Sequence, residues 1–187
     1  MKIIWNFTGS VATIKYNEIK EKFKDHQVFV LYTTSATHFN HFKPISTLNE
    51  FLFYFNSADP FWIPIDEQLE WLWKGKNDLV IHIELRKWAD KNVIIPCSAN
   101  TLAKLTNGIS DSLLLSVCRA WDYSKPIIVC PCMNTMMYNH PITNEQLMIF
   151  KSWGGIILYP IEKLLACGDY GMGALPSIES IYSFVVD

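Results

Sequence analysis

Two runs of β-branched residues, Val93-Ile94-Ile95 and Ile127-Ile128-Val129, each deliver the chain into a short loop of polar and sulfur-bearing residues. The first loop is Pro96-Cys97-Ser98-Ala99-Asn100-Thr101 and the second is Cys130-Pro131-Cys132-Met133-Asn134-Thr135-Met136-Met137-Tyr138. Runs this short and this uniformly apolar predict parallel strands buried on both faces, and open α/β sheets take their ligands outside the carboxyl ends of such strands. Two such loops on one sheet edge predict a site.

The amino-terminal part repeats the pattern. Ile3 to Phe7 reads as a strand that enters Thr8-Gly9-Ser10-Val11-Ala12 and then a helix to about Lys24. Ser10 suits a helix N-cap, and Gly9 lets the backbone approach a ligand. A helix N-terminus presented in this way suits a phosphate, although a lone Gly-Ser turn equally serves as an ordinary strand-to-helix connection. Val28 to Tyr32 is a second strand whose end carries Thr33, Thr34 and Ser35. Side by side in a doubly wound sheet, the two strands would bring these hydroxyls next to Gly9 and Ser10. The same hydroxyls could instead close the strand and cap a short helix over Ala36 to Phe42.

Residues 43–78 are rich in aromatic side chains, with a helix predicted from Asn49 to Phe55, a strand from Phe61 to Ile65 and a helix from Glu67 to Trp73. That surplus points to a subunit interface or a flat ligand as well as to core. A helix over His82 to Asp90 would put His82 and Arg86 on one face and turn Leu85 and Trp88 or Ala89 toward the core. A histidine so placed serves either as a hydrogen-bonded structural residue or as a catalyst. One long helix is expected from Ser98 to about Trp121, and another with Thr143 as N-cap and Gln146 three residues on. A strand comes next at Ile156 to Tyr159, then a glycine-rich flap from Ile161 to Leu175, then a helix from Ile178 to Val186. Five or six strands alternating with helices make this an α/β chain: a three-layer sandwich, Rossmann-like and doubly wound around a mainly parallel sheet, in one domain spanning 1–187.

Charge and cysteines narrow the function. A net charge of −2 with Lys and Arg scattered along the chain gives no footprint for nucleic acid or an anionic membrane. The apolar start is too short for a signal peptide and no segment reaches the ~20 apolar residues of a membrane span, so a cytoplasmic protein is expected. Five cysteines, an odd number with no C-x-x-C spacing and no ordered Cys/His set, predict reduced thiols and no metal site.

Several segments also carry a family likeness. PCSANT, CPCMNTMMY, HIELRKWAD, NGISDSLLLSVCRAWD and LACGDYGMGA closely resemble the phosphopantothenoylcysteine decarboxylases, flavin-containing cysteine decarboxylases of coenzyme A synthesis, and the likeness extends over nearly the whole chain. The resemblance implies a flavoprotein-decarboxylase fold that holds FMN, with its phosphate at Gly9, Ser10 and Val11 and at the hydroxyls of Thr33 and Ser35. Ser98, Ala99, Asn100 and Thr101 would contact the cofactor, as would Cys132 and Met133. Asn134 would hold the substrate, His82 would be catalytic, and Cys167 in the flap would donate a proton. Leu164, Leu165 and Ala166 would clamp 4′-phosphopantothenoylcysteine, and sites would lie between subunits of a homotrimer. Three residues depart from the family pattern: Cys97 replaces an apolar residue, Ser112 stands where asparagine is common, and Tyr138 replaces a tryptophan.

The implied reaction accounts for this combination of residues. Direct loss of CO₂ from the cysteine end would leave a carbanion beside an amide nitrogen with no electron sink. Oxidation at the carbon bearing sulfur creates a thioaldehyde β to the carboxylate, and CO₂ loss then yields an enethiolate that is reduced and protonated. Asn134 would hold the carboxylate, His82 would act as base or position it, and Cys167 would be the closing acid. Related folds also serve as regulatory subunits that bind a protein phosphatase, as peptide cysteine decarboxylases and as flavin prenyltransferases. The joint presence of His82, Asn134 and Cys167 favours the enzyme over the first, and the flap cysteine with HIELRKWAD favours the coenzyme A enzyme over the others.

Overall fold

The computed structural model describes residues 1–76 and 78–187. Six strands form one parallel sheet: β1 (Lys2–Phe7), β2 (Gln27–Tyr32), β3 (Phe61–Pro64), β4 (Lys91–Cys97), β5 (Ile127–Pro131) and β6 (Ile156–Ile157), in the spatial order β3-β2-β1-β4-β5-β6. A separate antiparallel hairpin joins β7 (Ile161–Leu164) to β8 (Tyr170–Ala174). The helices are α1 (Tyr16–Lys22), α2 (Leu48–Phe55), α3 (Ile81–Trp88), α4 (Ala99–Thr106), α5 (Leu113–Arg119), α6 (Thr135–Tyr138), α7 (Pro141–Ser152) and α8 (Ile178–Val186).

Alternation along the strands builds the three layers. Ile3, Trp5 and Phe7 of β1, Val28 and Val30 of β2, and Ile128 and Cys130 of β5 pack with Tyr16 and Ile19 of α1 and with Ile181 and Val185 of α8. The intervening residues, among them Ile4, Phe29, Leu31, Ile127 and Val129, pack on the opposite face against α3, α4, α5 and α7. Both faces are therefore dry, as the uniformly apolar runs require.

β4 breaks this alternation at a useful place. Val93 and Ile95 face the α1/α8 side and Ile94 the other, yet Cys97 lies with Ile94. The pairing register with β5 shifts between Ile94 and Cys97, so the strand end turns by one residue. The carbonyls released there find side-chain donors on β1 and the loop after it: Trp5 Nε1 donates to Ile95 O at 2.7 Å, and the Thr8 hydroxyl donates to Pro96 O at 2.8 Å.

Several expected elements are shorter or differently capped. The long helix over Ser98 to Trp121 is two helices, because Gly108 takes φ 69°, a left-handed conformation that ends α4, and Ile109 after it is exposed. Ser10 caps a 3-10 turn, Val11–Lys15, ahead of a short α1, and the helix expected over Ala36 to Phe42 is a 3-10 turn at Thr34–His38. α7 starts earlier than expected, with His140 as N-cap and Pro141 at its first position, where a missing N–H is harmless. Thr143 instead donates its hydroxyl to Met137 O at 2.7 Å. The glycine-rich stretch expected as a flap forms the β7–β8 hairpin.

Candidate active site

The strand order reverses between β1 and β4, and the crevice at such a switch point is where doubly wound sheets bind ligands. Three loops meet there. Thr8, fully buried, accepts the Ser98 N–H on its hydroxyl at 2.8 Å while donating to Pro96 O, which locks the β1 loop to the β4 loop. Ser10 donates to Cys132 O at 3.0 Å and its oxygen also faces the Ala12 N–H at 3.4 Å, which ties the β1 loop to the β5 loop.

Around these loops lies a cavity of about 370 Å³, within the range of cofactor and ligand sites. Gly9, Ser10, Ser98 and Ala99 form one side, and Cys132, Met133 and Asn134 form a second. Leu164, Leu165, Ala166 and Cys167 of the hairpin close over it. Val11, Ala12, Ile14, Phe39, Met137 and Leu175 make much of the wall apolar, as a flat ring system requires. Gly9 sits so close to the loop after β2 that a Cβ there would meet Ser35 Oγ at 2.5 Å. Ser35 in turn lies 3.2 Å from Thr33 Oγ1. The expected meeting of the β2 hydroxyls with the Gly-Ser turn is thus present behind the cavity wall, and the polar residues that do line the cavity at this corner, among them Ser10, Lys15 and Ser98, joined to the apolar slot, fit a phosphate-bearing flavin.

Not all the residues expected at the cofactor reach the cavity. Ser98 caps α4 by accepting the Thr101 N–H at 3.3 Å, Thr101 is buried against it, and Asn100 is exposed in the first turn. None of Thr33, Ser35, Asn100 and Thr101 lines the cavity itself.

Asn134 and Cys167 meet at the cavity edge. Asn134 Nδ2 lies 3.2 Å from Cys167 Sγ and donates to Asp169 Oδ2 at 2.8 Å, while Cys167 Sγ donates to the same carboxylate oxygen at 3.3 Å. Asn134 also accepts the Met136 N–H at 2.8 Å through its own oxygen, which fixes the amide so that its NH₂ faces the hairpin. The hairpin is held in place by Met133 N–H donating to Gly173 O at 3.2 Å, and its tip by Leu165 N–H donating to Asp169 O at 2.8 Å. Asp169 is a site residue that sequence reasoning missed; a carboxylate two residues beyond a cysteine in a glycine-rich turn is the only signal the sequence offers for it.

His82 stands apart. It opens α3 outside the cavity lining and is held by Glu70, whose carboxylate takes both its backbone N–H and its ring Nδ1. Leu85, Trp88 and Ala89 turn to the core as expected. The aromatic surplus divides: Phe51, Phe61 and Trp62 are buried, whereas Phe53, Trp71 and Trp73 are exposed, Trp71 by 75 %.

The five thiols differ sharply in environment. Burial pushes Cys97 well above the ordinary thiol range and takes Cys118 to about 12. Cys132 is also raised well above it, first by its hydrogen bond with Cys130 and then by burial. Cys167 alone is exposed.

A parallel sheet with this crevice and cavity defines a ligand-binding member of the open α/β proteins, and the chain belongs to the family described as Flavoprotein, which it matches over residues 1–187. Among curated relatives, a probable phosphopantothenoylcysteine decarboxylase of Arabidopsis thaliana is 42 % identical over 186 residues, covering 98 % of this chain and 86 % of that one. Among solved structures, a cysteine-to-serine variant of PPC decarboxylase complexed with pantothenoylaminoethenethiol superposes with a TM-score of 0.86 at 38 % identity, covering 99 % of this chain and 96 % of that one. The FMN-binding protein AtHal3 superposes with a TM-score of 0.83 at 39 % identity, covering 99 % of this chain and 94 % of that one.

The thiol environments carry a direct test. A thiolate is the reacting form, so under native conditions at neutral pH a disulfide reagent such as DTNB should titrate about one thiol per chain, and about five once the chain is denatured. Rapid native reaction of two or more, or of one that persists in Cys167→Ser, would contradict the assignment.

Proposed function

We propose that this protein decarboxylates 4′-phosphopantothenoylcysteine to 4′-phosphopantetheine with FMN as cofactor, a step of coenzyme A biosynthesis. The carrying observation is the placement of Asn134 and Cys167 together on a cavity whose polar corner and apolar slot fit FMN. Identity of about 40 % to phosphopantothenoylcysteine decarboxylases across nearly the full length favours this substrate over a peptide cysteine or a regulatory role.

In this reading the whole of 1–187 is one FMN-binding domain, consistent with two core layers sharing a single sheet. Gly9, Ser10 and Val11, with Thr33 and Ser35 behind them, would hold the phosphate. Ser98 to Thr101, Cys132 and Met133 would border the ring. When bound, FMN supplies reversible two-electron oxidation at the substrate carbon that bears sulfur.

The protein's own groups do the rest. Asn134 would give its amide hydrogens to the substrate carboxylate, exchanging the Asp169 carboxylate that now accepts them. Leu164, Leu165 and Ala166 would cover the substrate and exclude water. Cys167, whose sulfur bears the proton donated to Asp169, would deliver a proton to the enethiolate carbon that lost CO₂. His82 would act on the carboxylate end as base or positioning group.

Because His82 lies outside the cavity formed by its own chain, we assign it to the site of a neighbouring copy in a homotrimer or a multiple of one. The exposed Phe53, Trp71, Leu72 and Trp73 supply an apolar surface for that contact. The five unpaired cysteines support a cytoplasmic location, and recovery of the chain in an organelle lumen would contradict that.

Two experiments test the reading. Cys167→Ser should bind FMN and release CO₂ in a single turnover, then stall with an enethiol product two hydrogens short of 4′-phosphopantetheine by mass spectrometry. A serine hydroxyl is a far weaker acid than a thiol of pKa ~8.5, so the closing step should slow by orders of magnitude. Full product at the parent rate would make Cys167 structural. For the shared site, mixing inactive His82→Asn with inactive Asn134→Ala should restore part of the activity, and a catalytically competent monomer in sedimentation would overturn it.

A further inference from the structure

Glu70 lies in the 3-10 turn Glu67–Leu72, twelve residues ahead of His82 and outside the cavity lining. Both of its carboxylate oxygens serve one residue. Oε2 accepts the backbone N–H of His82 at 3.0 Å, and Oε1 meets the ring Nδ1. The Glu70 side chain is only 13 % exposed and the imidazole 24 %, so this pair is largely shielded from competing water.

The first of these bonds has a structural purpose. The N-cap residue of α3, Val80, has no side chain able to accept the free N–H groups of the first turn, so Glu70 caps the helix from outside, where an anion is also favoured by the helix dipole. One acceptor oxygen would satisfy that need, and the amide of a glutamine could provide it. The second oxygen requires a different explanation. An ionised carboxylate only accepts hydrogen bonds, so a neutral imidazole facing it must carry its proton on Nδ1 and leave the lone pair on Nε2. The backbone bond fixes the start of α3 relative to Glu70, so the ring is fixed in direction as well as in tautomer.

We propose that Glu70 is a positioning residue for the decarboxylation: it holds His82 as the Nδ1–H tautomer, so that Nε2 is the nitrogen presented to the substrate. This rests on the role given to His82 under the proposed function. It adds a residue of this chain that never touches substrate, and it determines which ring nitrogen reacts.

Nitrogen-15 NMR of the FMN-loaded protein labelled at histidine tests the assignment, with the His82 signals identified by their loss in His82→Asn. The expected wild-type spectrum, recorded at a pH high enough for the imidazole to be neutral, shows a protonated, pyrrole-type Nδ1 and a pyridine-type Nε2 for His82. Glu70→Gln keeps an acceptor for the backbone N–H but can also donate toward the ring. It should therefore lose the fixed tautomer and lower kcat by about tenfold or more while KM changes by less than about threefold, the pattern of a group acting after binding. Circular dichroism and oligomeric state should be unchanged. An Nε2–H tautomer in the wild type overturns the proposal, whether or not the variant folds. So does a Glu70→Gln protein that keeps either the wild-type tautomer or the wild-type kcat. Full decarboxylation by His82→Asn would instead remove His82 from the reaction and defeat the functional reading, whatever the spectrum shows.

Discussion

The site depends on one hydroxyl. Thr8 Oγ1 donates to Pro96 O and accepts from Ser98 N–H, both at 2.8 Å, at the point where the sheet order reverses. The register shift in β4 detaches these backbone groups from the ladder in a region that is largely buried, and a buried peptide group without a partner costs about 1–3 kcal/mol. Valine would match threonine in shape and leave two such groups stranded. The Thr8 carbonyl extends the arrangement by accepting from Ser10 N–H at 2.7 Å and from the Thr13 hydroxyl at 2.8 Å, so the turn that forms the polar corner of the cavity is built on the same residue.

That anchoring divides the site into rigid and adjustable parts. The loops after β1, β4 and β5 are held to one another through Thr8 and Ser10, whereas the hairpin is tied to them through few bonds, among them Met133 N–H to Gly173 O and Asn134 Nδ2 to Asp169. A cofactor pocket benefits from the first and a substrate cover from the second. Asn134 belongs to both: its oxygen is committed to the start of α6, and its amide hydrogens are offered across the cavity edge.

Much of this is legible in the sequence because it is local. The short apolar runs declare buried parallel strands, and the loops after them are the loops that line the cavity. Gly9 and Ser10 stand out because their residue types have a chemical meaning in that loop, whereas Asn134 and Cys167 are singled out by the family resemblance. The features that escape a sequence reading are set by tertiary contact. Helix-compatible spacing runs straight through Gly108, and only its positive φ shows that the helix ends there. Thr143 with Gln146 has a capping pattern, yet Pro141 at the first helical position sets the start of α7 earlier. Glu70 and Asp169 gain their importance from partners twelve and thirty-five residues away, which no spacing rule connects.

The measurement that bears most directly on this account is CO₂ release from 4′-phosphopantothenoylcysteine by the purified protein, monitored together with its bound flavin. The account predicts a yellow protein that yields FMN and not FAD on denaturation, and that forms one 4′-phosphopantetheine for each CO₂ released. A protein that retains FMN and its oligomeric state but releases no CO₂ from this substrate would contradict it and leave a flavin-binding module without this activity.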